Sequence, residues 1–271
     1  MDNIKEYCAF YKSKLKEEIS TLTEAPLFTI IQVGDVEASN RYVRNKIKDC
    51  DEVGIKTNLV KIPNTNPQLI KELTAAIIKA NATSSAIIVQ FPLPKSIDTK
   101  LILSLISPSK DADGFTNNGI TNPATPQGII TYLERNDYDF TDKNVLVIGR
   151  SEIVGKPAAK LFLNKNCNVI QIHSKTSEAN KRKFIDDADI IICATGRSNT
   201  VKKEYFTELS SKKKIIFDVG INFDDNGKLV GDCEKCLPVL FQSPVPGGVG
   251  LLTRLQLLEN IVKLTKNNLV D

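Results

Sequence analysis

The 271-residue chain predicts an α/β protein built as two domains. Three observations carry that prediction. The length is about two average domains, because a single hydrophobic core stops growing near about 250–300 residues. Short β-branched runs alternate with amphipathic segments, which is the rhythm of parallel strands joined by right-handed crossovers. Turn residues cluster at 117–126, NNGITNPATP, and divide the alternation into halves.

In the first half the strand candidates are Leu27–Val33, Thr57–Ile62 and Ala86–Gln90. Helical patterns lie between and after them, at Ser39–Val53, Gln68–Ala80 and Thr99–Ile106, with Ser39 as an N-cap. The second half repeats the rhythm with strands at Asn144–Gly149, Asn168–Ile172, Asp189–Ala194 and Lys214–Val219. Its helices are expected at Gly155–Asn164, Glu178–Asp186 and Lys202–Leu209. A second Pro/Gly-rich stretch, SPVPGGVG at 243–250, precedes a final amphipathic helix over Leu252–Thr265. That helix follows the second sheet in sequence yet is able to pack back on the first domain.

Composition narrows the function classes. With 41% hydrophobic and 25% charged residues the chain is neither disordered nor fibrous. A net charge of +4 suits solubility and does not argue for nucleic acid. The basic clusters Lys181–Lys183 and Lys212–Lys214 are read as solvated faces. His173 is the single histidine, which removes multi-histidine metal sites and leaves any Ser-His or Cys-His dyad one candidate. Cys233-Glu-Lys-Cys236 has the CxxC spacing of zinc and redox sites, but no second ligand pair at compatible spacing is visible. No metal is expected, and the six cysteines read as free thiols in a reducing compartment. The charged start, MDNIKEYCAFYKSKLKEE, has no apolar leader core. No apolar run approaches the ~18 residues of a membrane span. The expectation is a cytoplasmic soluble protein with no membrane or nucleic-acid partner.

The second half reads as a dinucleotide site. Asn144–Gly149 is a buried strand ending in glycine, followed by Arg150-Ser151-Glu-Ile-Val-Gly155 and a helix. Such a turn offers backbone N–H groups and a helix N-terminus to a pyrophosphate. The G-x5-G spacing does not meet the usual G-x-G-x-x-G fingerprint, and strand–Gly–helix also occurs for packing reasons alone. Some twenty residues on, Ile172-His173-Ser174-Lys175-Thr176 has no carboxylate for a ribose 2′-hydroxyl. Arg150, Ser174 and Lys175 could instead meet a 2′-phosphate, which selects NADP over NAD; otherwise they are ordinary loop residues.

The first half offers candidate reacting groups. Tyr42 and Lys46 lie one helical turn apart on one face. Spacing alone favours a partly buried tyrosine and a snorkelling lysine there. Val89-Gln90-Phe91-Pro92-Leu93-Pro94 ends a buried strand, and its prolines hold Gln90 at the carboxyl edge, where open α/β sheets bind ligands. Lys110-Asp-Ala-Asp113-Gly114-Phe115 sets a carboxylate before a glycine turn, a common sequence without any function.

Eight motifs stand in one order: SxxYVxxK around Tyr42 and Lys46, VQFPLP at 89–94, KDADGF at 110–115, PATPQG at 123–128, GRSEIVGKP at 149–157, HSKT at 173–176, DVGIN at 218–222 and PVPGGVG at 244–250. Together the chain resembles the bifunctional methylenetetrahydrofolate dehydrogenase/methenyltetrahydrofolate cyclohydrolase family, from about residue 27 to 262. The resemblance implies a folate-binding catalytic domain over 1–122, completed by helix 252–271. It also implies a Rossmann-like NADP domain over 123–251, an active cleft between the two domains, and a homodimer. The implied chemistry is NADP-dependent oxidation of 5,10-methylenetetrahydrofolate, then hydrolysis of the methenyl cation to 10-formyltetrahydrofolate. The resemblance further implies a supply role toward purine and amino-acid biosynthesis.

By motif position the resemblance makes Lys46 the key cyclohydrolase residue and Gln90 its hydrogen-bonding partner. Tyr42 stacks on the folate, Asp113 binds the polar edge of the pterin, and Pro92 belongs to the same substrate set. Gly149, Arg150, Ser151, Ser174 and Ile221 line the cofactor, and Gly247 and Gly248 allow close approach of folate or nicotinamide. Hydride transfer from a carbon flanked by two nitrogens needs orientation more than a protein acid. Hydration of the cation does need a proton acceptor, and burial beside a cationic substrate favours a neutral amine. The chain departs from the family at Thr116, Ala124, Ser198 and Leu251-Leu252; the last pair bears on the rim of the folate pocket. The alternatives are a dehydrogenase-only folate enzyme, a shikimate-dehydrogenase-like oxidoreductase, and an inactive nucleotide-binding module.

Overall fold

The computed structural model describes residues 1–116, 120–206 and 213–267. The chain divides into two units. One holds Ala9–Ala124 and the chain from Arg254 onward; the other holds Thr125–Thr253 with Met1–Cys8.

The first unit is built on a parallel sheet of β1 (Leu27–Val33), β2 (Lys56–Ile62) and β3 (Ala86–Gln90), ordered β2-β1-β3. β3 is wholly buried and β1 nearly so, which is why both read as apolar runs; β2, at the edge, is mostly solvent-facing. Helix α1 (Ile4–Ser20) opens the chain, and α2 (Glu37–Val53), α3 (Leu69–Thr83) and α4 (Thr99–Ser104) follow the strands. On α3 the residues Leu73, Ile77 and Ala80 share one face and pack with Ile31, Ile87 and Val89. The Asp98 carboxylate caps α4 by accepting the N–H groups of Lys100 (2.9 Å) and Leu101 (3.3 Å).

Two details correct the sequence reading. Helix α2 begins at Glu37, so Ser39 lies buried in the first turn and is not the N-cap. An acidic Glu37 suits the positive end of the helix, so the helix starts ahead of the serine. Helix α1 had no place among the expected elements, although Ile4, Tyr7, Cys8, Leu15 and Ile19 are buried at helical spacing.

The second unit carries α5 (Ala124–Glu134), β4 (Asn144–Ile148), α6 (Gly155–Leu163), β5 (Asn168–Ile172), α7 (Glu178–Asp187), β6 (Ile190–Cys193) and β7 (Ile215–Asp218). A small antiparallel pair follows, β8 (Asn222–Phe223) with β9 (Leu229–Val230), and then β10 (Phe241–Gln242). The main sheet is parallel, in the order β10-β7-β6-β4-β5. β6 and β7 are fully buried, and Leu146, Ile148, Ile191 and Ile216 share a core with Ile185 of α7. Met1–Cys8 belongs here: Tyr7 meets Tyr132 edge-on at 4.9 Å, and Asp2 N–H donates to Asn136 Oδ1 at 2.7 Å. The last helix, α8 (Val249–Asn267), begins three residues ahead of its expected start.

Around 202–209 the chain forms a single 3-10 turn, Lys203–Tyr205, and 207–209 lie outside the described residues. Likewise 117–119 of the expected break lie outside them, while α5 already starts at Ala124 within that stretch. The basic clusters differ from plain solvated faces. Lys181 and Arg182 both stack on the Tyr205 ring at 4.7 Å. Lys214 is 4% exposed, its Nζ donating to the Asp186 and Ala188 carbonyls at 2.5 and 2.8 Å. Its long stem fills the base of β7 while its ammonium meets chain carbonyls. Lys212 lies outside the described residues.

Candidate active site

In the first unit the candidate groups gather at the carboxyl ends of β1 and β3. Lys46 reaches from α2 and donates from Nζ to Gln90 Oε1 at 3.1 Å. Gln90 Nε2 donates to the Phe91 carbonyl at 2.7 Å. That second bond turns the amide so its oxygen faces the amine and accepts from it. Tyr42, one turn earlier on α2, is 36% exposed, and burial of part of its ring pushes its hydroxyl above the usual range. Pro92, joined to Phe91 by a cis peptide, is exposed at the strand end.

Asp113 belongs to the same cluster. Burial pushes its carboxyl above the usual carboxylate range; the charge of Lys46 pulls it back down and that of Asp111 adds to the rise. Asp111, 1% exposed, shapes the loop that presents Asp113: its carboxylate accepts the N–H groups of Gly114 (2.9 Å) and Thr116 (2.7 Å). Asn260 of α8 holds this loop from behind, donating to the Ala112 carbonyl at 2.8 Å and the Asn122 carbonyl at 3.2 Å. Helix α8 also holds α2, because Arg254 Nε lies 2.6 Å from Asp49 Oδ2 while Lys12 Nζ lies 2.6 Å from Asp49 Oδ1. Sequence reasoning missed all of these supports, although the Asp111-x-x-Gly114 spacing carries a turn signal that could have been read. It also missed Gln32, the register partner of Gln90, whose Nε2 donates to Asn40 Oδ1 on α2 at 2.7 Å.

In the second unit the expected cofactor residues line the carboxyl edge of the five-stranded sheet. β4 and β5 pair through Ile148 and Ile172, and Arg150 and Ser174 each follow that pair by two residues, in the loops after the strands, where each is exposed. Gly149 has φ 127, and a Cβ there would lie 2.9 Å from the Ala194 carbonyl carbon and nearer still to its oxygen. A Cβ on Gly155 would lie 2.7 Å from the Gly149 carbonyl carbon. The β4–α6 turn therefore closes on itself with bare backbone, leaving a cradle next to the start of α6. Ser151 Oγ accepts the N–H groups of Val154 (3.2 Å) and Gly155 (3.3 Å), which leaves its own proton to donate outward. His173 is a turn residue, its Nδ1 accepting the Lys175 N–H at 3.2 Å. Ile221 is 51% exposed just past β7. Gly247 has φ 101 and an open Cβ position, in the loop that leads to α8. Gly248 is packed, its Cβ position 3.1 Å from Pro244 N. Of the CxxC pair, Cys233 is buried and Cys236 exposed.

Two family models match the chain: "Tetrahydrofolate dehydrogenase/cyclohydrolase, catalytic domain" over residues 3–113 and "Tetrahydrofolate dehydrogenase/cyclohydrolase, NAD(P)-binding domain" over 123–269. The "Bifunctional protein FolD" of Bacillus thuringiensis (strain Al Hakam) is 40% identical, the alignment covering 94% of this chain and 92% of that protein. The crystal structure of the FolD methylenetetrahydrofolate dehydrogenase/cyclohydrolase from Campylobacter jejuni superposes with a TM-score of 0.91 at 36% identity, covering 98% of each chain. The Trypanosoma brucei enzyme, solved with NADP cofactor and an inhibitor, gives a TM-score of 0.91 at 28% identity over 100% of this chain and 98% of that one.

Proposed function

The chain belongs to the tetrahydrofolate dehydrogenase/cyclohydrolase family, and from that premise we propose how its residues divide the two reactions. The protein is a bifunctional, NADP-dependent enzyme. It oxidises 5,10-methylenetetrahydrofolate to the 5,10-methenyl cation and hydrolyses that cation to 10-formyltetrahydrofolate.

The observation that carries the assignment is the Lys46–Gln90 hydrogen bond at the carboxyl end of β3, within the field of Asp113. Hydrolysis adds water to the methenyl carbon, releases one proton and opens one carbon–nitrogen bond. The Lys46 amine, held by Gln90 Oε1, receives that proton or orients the water that sheds it. Tyr42 offers a flat, half-buried face for the folate ring, Asp113 an acceptor for the pterin's N–H groups, and Pro92 a rigid wall beside them.

For the cofactor, the bare backbone at Gly149 and Gly155 fits a pyrophosphate at the start of α6, and Ser151 adds a hydroxyl donor. Arg150 and Ser174, both exposed just past the paired ends of β4 and β5 with no carboxylate in 172–176, fit a 2′-phosphate. Ile221 adds an exposed apolar face. Bound NADP+ supplies the hydride acceptor. Gly247 and Gly248 put a loop without side chains where folate or nicotinamide approaches.

For a division into a folate-binding catalytic domain, 1–122 with 252–271, and an NADP domain, 123–251, the boundary near 123 is supported by the two family models, although the NAD(P)-binding model runs on to 269. The return of the last helix is supported by the contacts of Arg254 and Asn260 within the first unit, while Met1–Cys8 goes with the second unit. A homodimer, a cytoplasmic location and a supply role toward purine and amino-acid biosynthesis are supported by family membership alone. No helix among the described residues is long and apolar enough to cross a membrane.

The test follows NADPH, methenyl- and 10-formyl-folate separately in wild type and Lys46→Met. We expect hydrolysis to fall by about 10²–10⁴-fold, the usual worth of a positioned acid–base group, with substantial dehydrogenase activity retained. Unchanged hydrolysis in Lys46→Met removes the lysine from the reaction.

A further inference from the structure

Two buried carboxylates lie at the carboxyl ends of β6 and β7, and nothing in the two reactions uses them. Asp232 is 0% exposed and Asp218 is 3% exposed. Asp232 Oδ2 accepts from Thr195 N (2.6 Å), Gly196 N (3.0 Å) and Thr195 Oγ1 (2.9 Å), while Oδ1 accepts from Asn222 Nδ2 (2.9 Å). Asp218 Oδ1 accepts from Gly220 N (2.9 Å) and Asp232 N (2.8 Å), and its Oδ2 accepts from Cys233 N (2.9 Å). All of these donors are amides or hydroxyls; none is a cation. Burial pushes the Asp218 carboxyl up, the three amides pull it down, and Asp232 pushes it up again.

Buried carboxylates are costly to hold without a cation unless several donors converge on them. Here the donors come from segments far apart in sequence, so a single carboxylate ties them together. Asp232 grips the turn after β6, at Thr195 and Gly196, and the turn after β7, through Asn222. Asp218 grips the same β7 turn from its other side, through Gly220. Ile221 is therefore flanked by residues that are both pinned. The β6 turn also includes Ala194, against whose carbonyl Gly149 is packed. In open α/β sheets these are the turns along which a dinucleotide lies.

We infer that Asp232 is a positioning residue for the NADP-dependent reaction: it fixes the Thr195–Gly196 amides and the Ile221 turn in the arrangement the cofactor meets. This rests on the cofactor placement proposed above. Asp232→Asn keeps the size but turns one acceptor into a donor that must face either Asn222 or the Thr195 and Gly196 amides. Losing hydrogen bonds to a charged group is worth about ten- to a hundredfold in an equilibrium constant.

The experiment measures NADP+ binding by calorimetry, amide exchange at Thr195 and Gly196 without ligand, and hydrolysis of preformed methenyl-folate without NADP. Asp232→Asn is expected to raise the NADP+ Kd about tenfold or more and to speed exchange at both amides, with hydrolysis kept within about twofold. Adding Asn222→Asp restores an acceptor opposite the new amide and is expected to recover part of the affinity. Should Asp232→Asn not fold, Asn222→Ala reads the same link from a half-buried side chain, with an NADP+ Kd raised several-fold. An unchanged NADP+ Kd in the folded variants, or equal loss of both activities with no change in Kd, overturns the inference. Arg150→Ala runs alongside: if it leaves the Kd unchanged, the cofactor placement itself fails; if it weakens binding while Asp232→Asn does not, only the positioning role fails.

Discussion

Replacing Gly149 by alanine tests the cofactor cradle at its tightest point. Real Cβ atoms essentially never approach another heavy atom within 3.0 Å, and the added methyl would sit inside that limit against both the oxygen and the carbon of the Ala194 carbonyl. The ends of β4 and β6 must then part. Ala194 N to Ile148 O (2.8 Å) joins β6 to β4 directly, and Gly149 N to Ile172 O (2.9 Å) ties the displaced glycine to β5, so both bonds are stretched. Weakening two such bonds costs about 1–3 kcal/mol net. Holding a side chain at φ 127 adds strain of about 1–3 kcal/mol. The total of about 2–6 kcal/mol, at about 3 °C per kcal/mol for a unit of this size, lowers the Tm by roughly 6–18 °C. A cradle displaced by about 1 Å also loses cofactor alignment, worth about 10–100-fold in kcat/KM for NADP+. The assays are thermal melts with and without NADP+, steady-state oxidation, and hydrolysis of preformed methenyl-folate. We expect hydrolysis to stay within about threefold at a temperature where the variant is folded, because Lys46 and Gln90 belong to the other unit. A variant whose Tm falls by less than about 2 °C, with an unchanged KM for NADP+, refutes the contact reasoning.

Two further predictions follow from the electrostatics of the two units. Asp113 binds folate N–H groups only when ionised, so the KM for methylenetetrahydrofolate should rise as pH falls through a limb lying above the ordinary carboxylate range. Because the Lys46 charge pulls that carboxyl down, Lys46→Met should move the limb to higher pH when dehydrogenase activity is used as the readout; a limb that stays put or moves down contradicts the pairing. Arg150→Ala and Ser174→Ala should each raise the KM for NADP+, the arginine change by about 10–100-fold, while altering the KM for NAD+ by less than about threefold. Equal effects on both cofactors would place these side chains away from a 2′-phosphate.

β1 and β3 were legible because their β-branched runs are buried on both faces, so composition and burial agree and the expected bounds match. β5 matches its bounds as an edge strand that alternates exposed and half-buried residues up to the buried Ile172. Helix starts were less legible, since a serine marks a cap only if it remains at the end of the helix; Ser39 does not. Lys214 shows the same limit, as a basic triplet looks solvated until its neighbours cover it. Lys46 and Gln90 were readable from their motifs, and the structure brings them within a hydrogen bond. Their supports were not. Asp49 and Arg254 lie 205 residues apart, and Asp232 meets Thr195 across 37; no local period joins either pair. Such contacts are products of the fold, invisible to a reading that works through neighbours along the chain.

The return of α8 to the first unit has a consequence for how the protein is made. Residues 9–124 leave the ribosome ahead of 125–253, but Asp49 lacks its second cation, and the Ala112 and Asn122 carbonyls lack their amide, until Arg254 and Asn260 emerge. Between them come residues 125–253, roughly 130 positions that take on the order of 6–26 s at about 5–20 residues per second. The half carrying Lys46 thus stays incomplete until 125–253 have been made. During that interval the polar groups that α8 covers lack those partners, while the later-made nucleotide half has all but residues 1–8 in one uninterrupted stretch.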